Sequence, residues 1–351
     1  MRTTLALALP CAAVVLGTLA AALVFRQALA RMADPLALQA KLMGHVAAWQ
    51  ALPPVERMTS VVLLGNSVVN CPGTSVAEAL ATSLAAASPP ALRARAHVGE
   101  VVAITQRGLR PLHFYALLDD ILAGRPRSFV IAVVLRVFSP SFTFSHVLEY
   151  AALTRNLSFR RSLAVADALH EEGLTLLDPM IYRAEDALGL LDVVTGVRVW
   201  AGDVLDGVGE GVRRLAGLRG ASPVARGYRV LPGFPTVDEA RADYLVDQPG
   251  STSARVLRDI VAIARDAGRP PLLYVSPVDM DRLTELGLRD ELQIDERVAA
   301  LRAAIGVTPG EWLDLHAMLP ARFFRDRNNH LEPEGCARVA DALKRKLTGR
   351  P

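Results

Sequence analysis

The chain has 351 residues, 51% hydrophobic and 21% charged, enough to bury a substantial core in one large domain. Its 39 Lys and Arg nearly balance 36 Asp and Glu for a net charge of +3, and the two signs are interspersed along the chain. That distribution forms no basic stripe and speaks against a nucleic-acid surface.

Thr3 to Phe25 is a run of 23 residues without a charge. As a helix it would extend about 34 Å, against about 30 Å for a bilayer core. The run predicts a transmembrane signal anchor over 3–25, longer than the apolar stretch of a cleaved signal. The small residues Ala28 and Ala30 leave cleavage after Ala30 as the alternative. Arg2 before the run and Arg26 and Arg31 after it nearly balance the positive-inside rule. The default for a short leading tail puts the bulk of the chain outside the cytoplasmic membrane, as a single-pass protein. Residues 26–57 read as a helical juxtamembrane stalk, closed by Pro53 and Pro54.

From residue 58 to 351 the pattern changes to alternating strands and helices. Ser60 to Gly65 is a short apolar run ending in Gly, the pattern of a buried parallel strand. A second strand is expected around 95–104, a helix over 114–124 stopped by Gly124 and Pro126, and a strand from Phe129 to Leu135. Further on come a helix over Ala254–Ala267, strands at Pro271–Val275 and Glu311–Leu315, and a closing helix over Pro333–Leu347. Such alternation predicts an α/β fold, a flavodoxin-like three-layer sandwich with a central parallel sheet. Between about 146 and 245 the alternation lapses into helical patterns (162–172, 183–194) and a Gly-rich piece, read as a mainly helical insertion.

Leu63-Leu64-Gly65-Asn66-Ser67 puts a hydroxyl where a buried strand meets its turn, and ligands of open parallel sheets sit beyond the carboxyl ends of strands. By itself Gly-Asn-Ser is an ordinary turn. The far end adds Asp326-Arg327-Asn328-Asn329-His330-Leu331-Glu332-Pro333, an acid and a His just before the last helix. A Ser hydroxyl becomes a nucleophile when a base takes its proton, and that base needs an acceptor to fix its tautomer. Ser67, His330 and Asp326 supply those three roles.

On these residues the chain resembles the SGNH (GDSL-like) hydrolases over roughly 58–140 and 270–347. Gly65-Asn66-Ser67 is similar to the first family block, with Asn in place of Asp. Gly108, in Gln106-Arg107-Gly108-Leu109, falls where the family has its oxyanion Gly, and Asp326 to Gly335 is similar to the final block. The apolar run and His-Leu-Glu-Pro-Glu-Gly look closest to anchored members that acylate exported polymers. The resemblance implies a serine acyl esterase or O-acyltransferase of the cell envelope, with Ser67 as nucleophile, His330 as base and Asp326 as orienter. The N–H groups of Ser67 and Gly108 would receive the oxyanion.

The chain departs from the family pattern twice. The third block's oxyanion Asn is missing, since the matching strand end reads Val133-Val134-Leu135-Arg136; Arg136 is the candidate replacement. One such donor is worth about 2.7–4 kcal/mol of transition-state stabilisation. The family acid sits three residues before the His, a position held here by Arg327, so Asp326 at four takes the role with Asp314 in reserve. Both departures support a second reading, a non-catalytic scaffold or binding protein of the same fold; a solute-binding domain is a third.

No cofactor or metal is expected, because no His, Cys, Asp or Glu spacing fits a metal site. His45, His97, His113, His146 and His170 read as packing or surface residues, and His316 as a possible cleft residue without a nucleophile. The glycines Gly202, Gly207, Gly209 and Gly211 follow no strand and suggest no nucleotide loop. Cys71 and Cys336 lie four and six residues past Ser67 and His330. They are either a disulfide beside the site or, more ordinarily, two buried thiols. Leu188, Leu190, Leu191, Val193 and Val194, near Trp200, form an apolar stretch that either packs on the domain or meets lipid or a membrane acyl-donor partner. Acylated glycans or other envelope polymers are the expected substrates.

Overall fold

Apolar runs punctuated by Gly and Pro become the strands of one parallel sheet. The computed structural model describes residues 42–87, 101–106, 108–138, 151–171, 174–187, 236–244, 250–326 and 329–349. The five strands of the sheet and one short hairpin are, in chain order, β1 (Val61–Gly65), the hairpin strands β2 (Asn70–Cys71) and β3 (Thr74–Ser75), β4 (Val101–Thr105), β5 (Ser128–Val133), β6 (Leu272–Val275) and β7 (Trp312–Asp314). The sheet runs β4-β1-β5-β6-β7 with every pairing parallel. Leaving out the hairpin, this is the 2-1-3-4-5 order of doubly wound flavodoxin-like sheets.

All five residues of β1 and all four of β6 are buried. Successive strand residues point to opposite faces, so burial of every position means that both faces are covered. Two helical groups do the covering. Helix α1 (42–51) is followed by α2 (Val76–Ala87), α3 (Pro111–Ala123), α4 (Thr252–Asp266), α5 (Ile294–Ile305) and α6 (Pro333–Thr348). Helix α2 packs along α6, where Ser83 Oγ donates to Asp341 at 2.9 Å, while α3 packs on α4 and α4 on α5.

Local chemistry sets the ends of these helices. Ser251 caps α4 by accepting the N–H of Ala254, Pro111 begins α3, and Gly349 closes α6 in the left-handed conformation. The amphipathic stripe of α4 buries Val256, Leu257, Ile260 and Val261. Each such side chain contributes about 1.5–3 kcal/mol by leaving water. In α1, Leu42, Val46 and Trp49 recur at helical spacing and lie in the same core cluster as β1. Gly124 permits that docking, since a Cβ there would come within 2.5 Å of the Trp49 ring.

The insertion appears as a 3-10 segment (Ala151–Asn156) and short helices at Phe159–Ala164, Ala166–Glu171, Asp178–Ala187 and Val237–Tyr244. Leu188 to Val194, Trp200 and the Gly-rich piece lie outside the described residues, as do His97 and His146.

The membrane expectation is corrected. Among the described residues, no helix is long and apolar enough to cross a membrane. Thr3 to Phe25, on which the signal anchor rested, lies outside the described residues. The single-pass localisation and the membrane attachment through an N-terminal helix were inferred from that run and fall with it, while the stretch from Leu188 to Val194 that suggested a membrane acyl-donor partner lies outside the described residues. What stands is a mixed α/β fold around a five-stranded parallel sheet.

Candidate active site

The chain passes from β1 to β4 on one side and then to β5 on the other, so the direction of winding reverses between β1 and β5. Ser67 sits just beyond the carboxyl end of β1, at that reversal, where open α/β sheets hold their ligands. Gly65 makes the turn possible by close approach. A Cβ there would meet Val69 Cγ1 at 2.8 Å and Ala132 Cβ at 3.5 Å. Asn66 then starts a 3-10 turn over Ser67–Val69, accepting the Val68 N–H on its Oδ1 at 3.1 Å. Val69 donates its N–H to the Asn66 carbonyl at 3.3 Å. Of the first three N–H groups of this turn, that of Ser67 is therefore the one not spent on the turn itself.

The opposite side comes from the segment before α6. Residues 324–326 and 329–331 are drawn together by the Phe324–Leu331 bridge, by Arg325 N–H donating to His330 O at 2.8 Å, and by Glu332 N–H donating to Phe323 O at 2.8 Å. Here Asp326 Oδ1 accepts the N–H groups of Asn329 at 3.2 Å and His330 at 3.1 Å. Asp326 Oδ2 hydrogen-bonds His330 Nδ1. Accepting from both the i+3 and i+4 amides is what allows the acid to sit four residues before the His. Gly335, in the first turn of α6, rests on this loop; a Cβ there would approach Phe323 O to 3.0 Å and Leu331 Cβ to 3.2 Å.

The two sides meet. Ser67 Oγ lies 3.0 Å from His330 Nε2. A carboxylate only accepts, so Asp326 fixes the proton on Nδ1 and leaves the Nε2 lone pair facing the hydroxyl. The arrangement is a Ser–His–Asp chain in which the imidazole can take the hydroxyl proton while the carboxylate holds the ring in place and offsets its charge. Gly108 is buried, with φ of 76°, and its segment is drawn to β1 by Gln106 N–H donating to Gly65 O at 3.3 Å.

Other residues fall elsewhere. Arg136 is ion-paired with Asp243 of the Val237–Tyr244 helix at 3.0 Å, so its charge is committed to the insertion. Asp314, the reserve acid, is 2.6 Å from His316 Nδ1, while Asp295 of α5 is 2.8 Å from Nε2. Burial lowers the His316 pKa, but the hydrogen bonds and charges of Asp314 and then Asp295 outweigh it and hold the imidazole above its ordinary value. This Asp–His–Asp clamp ties β7 to α5, with β5 and β6 between it and the β1 end that carries Ser67, and nothing in its spacing announced it. His113 Nδ1 accepts the Arg110 N–H at 3.0 Å and closes the start of α3. His170 is exposed on the Ala166–Glu171 helix, which buries Ala168 and Leu169 instead. Among the described residues no group of His, Cys, Asp or Glu could hold a metal.

Cys71 and Cys336 are joined, 265 positions apart in sequence and with Cα atoms 6.5 Å apart. The ordinary expectation of two free thiols is therefore corrected. The bond links the hairpin after Ser67 to the helix after His330, and it forms because Ser67 and His330 already bring those segments together.

No protein-family model and no curated protein matches this chain. The likeness to SGNH hydrolases thus stands on the residues alone.

Proposed function

We propose that the protein is a serine-dependent acyl esterase or O-acyltransferase working through an acyl-enzyme at Ser67. The observation that carries this reading is the 3.0 Å contact between Ser67 Oγ and His330 Nε2, with Asp326 on the far ring nitrogen. In the first half-reaction, Oγ attacks the acyl carbonyl carbon while Nε2 takes its proton. The oxyanion is received by the N–H groups of Ser67 and Gly108. The tetrahedral intermediate collapses as Nε2 returns the proton to the leaving oxygen. In the second half, water or an alcohol repeats the sequence and frees Ser67. Hydrolysis and transfer differ only in which of the two reaches the ester.

A non-catalytic binding protein of the same fold is the competing reading, favoured by the absence of the third-block Asn and by the pairing of Arg136 with Asp243. A fluorophosphonate probe separates the two. Wild type is expected to be labelled at Ser67 and Ser67→Ala is not. A folded wild type that takes no label leaves the binding protein.

A further inference from the structure

The hairpin that follows the nucleophile is lightly held. Of residues 70–75, Cys71 alone is buried; Asn70, Pro72 and Gly73 are exposed, and Thr74 and Ser75 are half-buried. Its strands pair only with each other, Asn70 opposite Ser75 and Cys71 opposite Thr74. Beyond that pairing, Asn70 donates its N–H to Ser67 O, and Ser75 Oγ accepts the Glu78 N–H at 3.1 Å. Among the described residues, no hydrogen bond or ion pair joins the hairpin to α6, on which it packs. The Cys71–Cys336 bridge supplies that attachment.

Helix α6 does not depend on the bridge for its place. It packs along α2, with Leu80, Leu84, Val339 and Leu343 buried, and Ser83 Oγ reaches Asp341 at 2.9 Å. What the bridge adds lies at the active site. Cys71 is four residues past Ser67 and Cys336 six past His330, so the sulfurs close a short covalent path between hydroxyl and imidazole. Ser67 Oγ and His330 Nε2 are 3.0 Å apart. A hydroxyl proton passes to a base over about 2.6–3.2 Å, so this pair tolerates little outward drift.

We infer that Cys71 and Cys336 are positioning residues of the active site, whose oxidised state keeps Ser67 and His330 within proton-transfer reach. The inference rests on the proposed acyl-enzyme. Folding brings the sulfurs together, and the bond then limits how far the hairpin, and the Ser67 turn that leads into it, drift from the start of α6. Reduction gives the two sulfurs two electrons and two protons, drawn from a dithiol that closes to its own disulfide. The hairpin then loses its covalent tie to α6. A displacement of about 1 Å between reacting groups costs on the order of a hundred-fold in rate. The loss falls on kcat, because the displaced groups act on the proton rather than on the bound ester.

The test compares three forms: oxidised wild type, wild type reduced with dithiothreitol and freed of it by gel filtration under inert gas, and the Cys71→Ala/Cys336→Ala double variant. A free-thiol count higher by two confirms reduction, and circular dichroism follows the fold. Both bridge-free forms are expected to keep KM for p-nitrophenyl acetate within about two-fold and to lose about ten- to a hundred-fold in kcat and in fluorophosphonate labelling rate. Reoxidation of the reduced wild type should restore both rates. A folded bridge-free form with undiminished kcat and labelling overturns the positioning role and leaves the acyl-enzyme intact. During reduction, labelling lost ahead of the circular-dichroism signal supports the role; labelling lost only in step with that signal makes the bridge purely structural and overturns it. An oxidised wild type that neither labels nor cleaves the ester removes the underlying function, and the positioning role with it.

Discussion

Ser67 and His330 stand 263 positions apart in sequence, yet Oγ and Nε2 are at hydrogen-bond distance. The contact depends on the acid behind the imidazole, which makes Asp326 the most informative residue to change. In Asp326→Asn, an amide nitrogen facing Nδ1 forces the ring proton onto Nε2, where it blocks the hydroxyl. The flipped amide instead points its NH₂ at the N–H groups of Asn329 and His330. Either way kcat is expected to fall by about 10³–10⁴-fold, measured on p-nitrophenyl acetate. A loss under ten-fold would mean that Asp326 does not orient the base.

The clamp around His316 predicts a pH dependence of stability. The His316 pKa is raised above its ordinary 6.5, so its contribution is full below that value and fades as pH climbs through the raised one. Burial pushes the Asp314 pKa up, but the hydrogen bonds and charge of His316 prevail and lower it below 3.8. That contribution is present above 3.8 and is lost as pH falls through the lowered value. The clamp is therefore strongest between about pH 4 and 6.5. His316→Gln should cost about 1–3 kcal/mol at pH 5.5, and the gap to wild type should narrow by pH 9 in paired urea titrations. A gap that widens with pH would contradict the assignment.

Asn329 predicts an unusual gain. Its side chain is buried, and neither Oδ1 nor Nδ2 has a hydrogen-bond partner among the described residues. Its φ is not positive, so leucine fits the backbone. An isosteric apolar residue removes an unmet desolvation cost, and Asn329→Leu is expected to leave the melting temperature unchanged or raise it. A marked drop would reveal a partner for the amide.

Gly335 predicts the opposite. Alanine there would press on Phe323 O and Leu331, part of the loop that carries His330. Gly335→Ala should cost about 1–3 kcal/mol in chemical denaturation and slow labelling of Ser67 as the loop shifts. Unchanged labelling would show that α6 and the loop move apart without disturbing the imidazole.

Much of the sheet was legible because its signal is local. Val61 to Leu64 and Phe129 to Val133 are apolar on both strand faces and end in turn residues, and both became central strands within a residue or two of the expected bounds. Ser67, Asp326 and His330 were legible for the same reason, as turn chemistry next to a strand and next to a helix. Pairings set by tertiary structure were not. Nothing in the numbering of Asp295 and Asp314 points to His316 between them, and Arg136 could not be seen to face Asp243. The Cys71–Cys336 bond depends on a distance that only the folded sheet creates. In α1, the spacing of Leu42, Val46 and Trp49 did carry a packing signal, since three large apolar side chains on one face seek a core.

The sulfur bridge between Cys71 and Cys336 has a topological consequence. It turns the polypeptide from residue 71 to residue 336 into a covalent ring that includes four of the five strands of the parallel sheet, with Ser67 on one tail of the ring and the part of α6 beyond Cys336 on the other. A protease that cuts this ring once, anywhere along its length, leaves a two-piece molecule that still cannot separate. The halves that donate the hydroxyl and the imidazole travel together until the sulfurs are reduced.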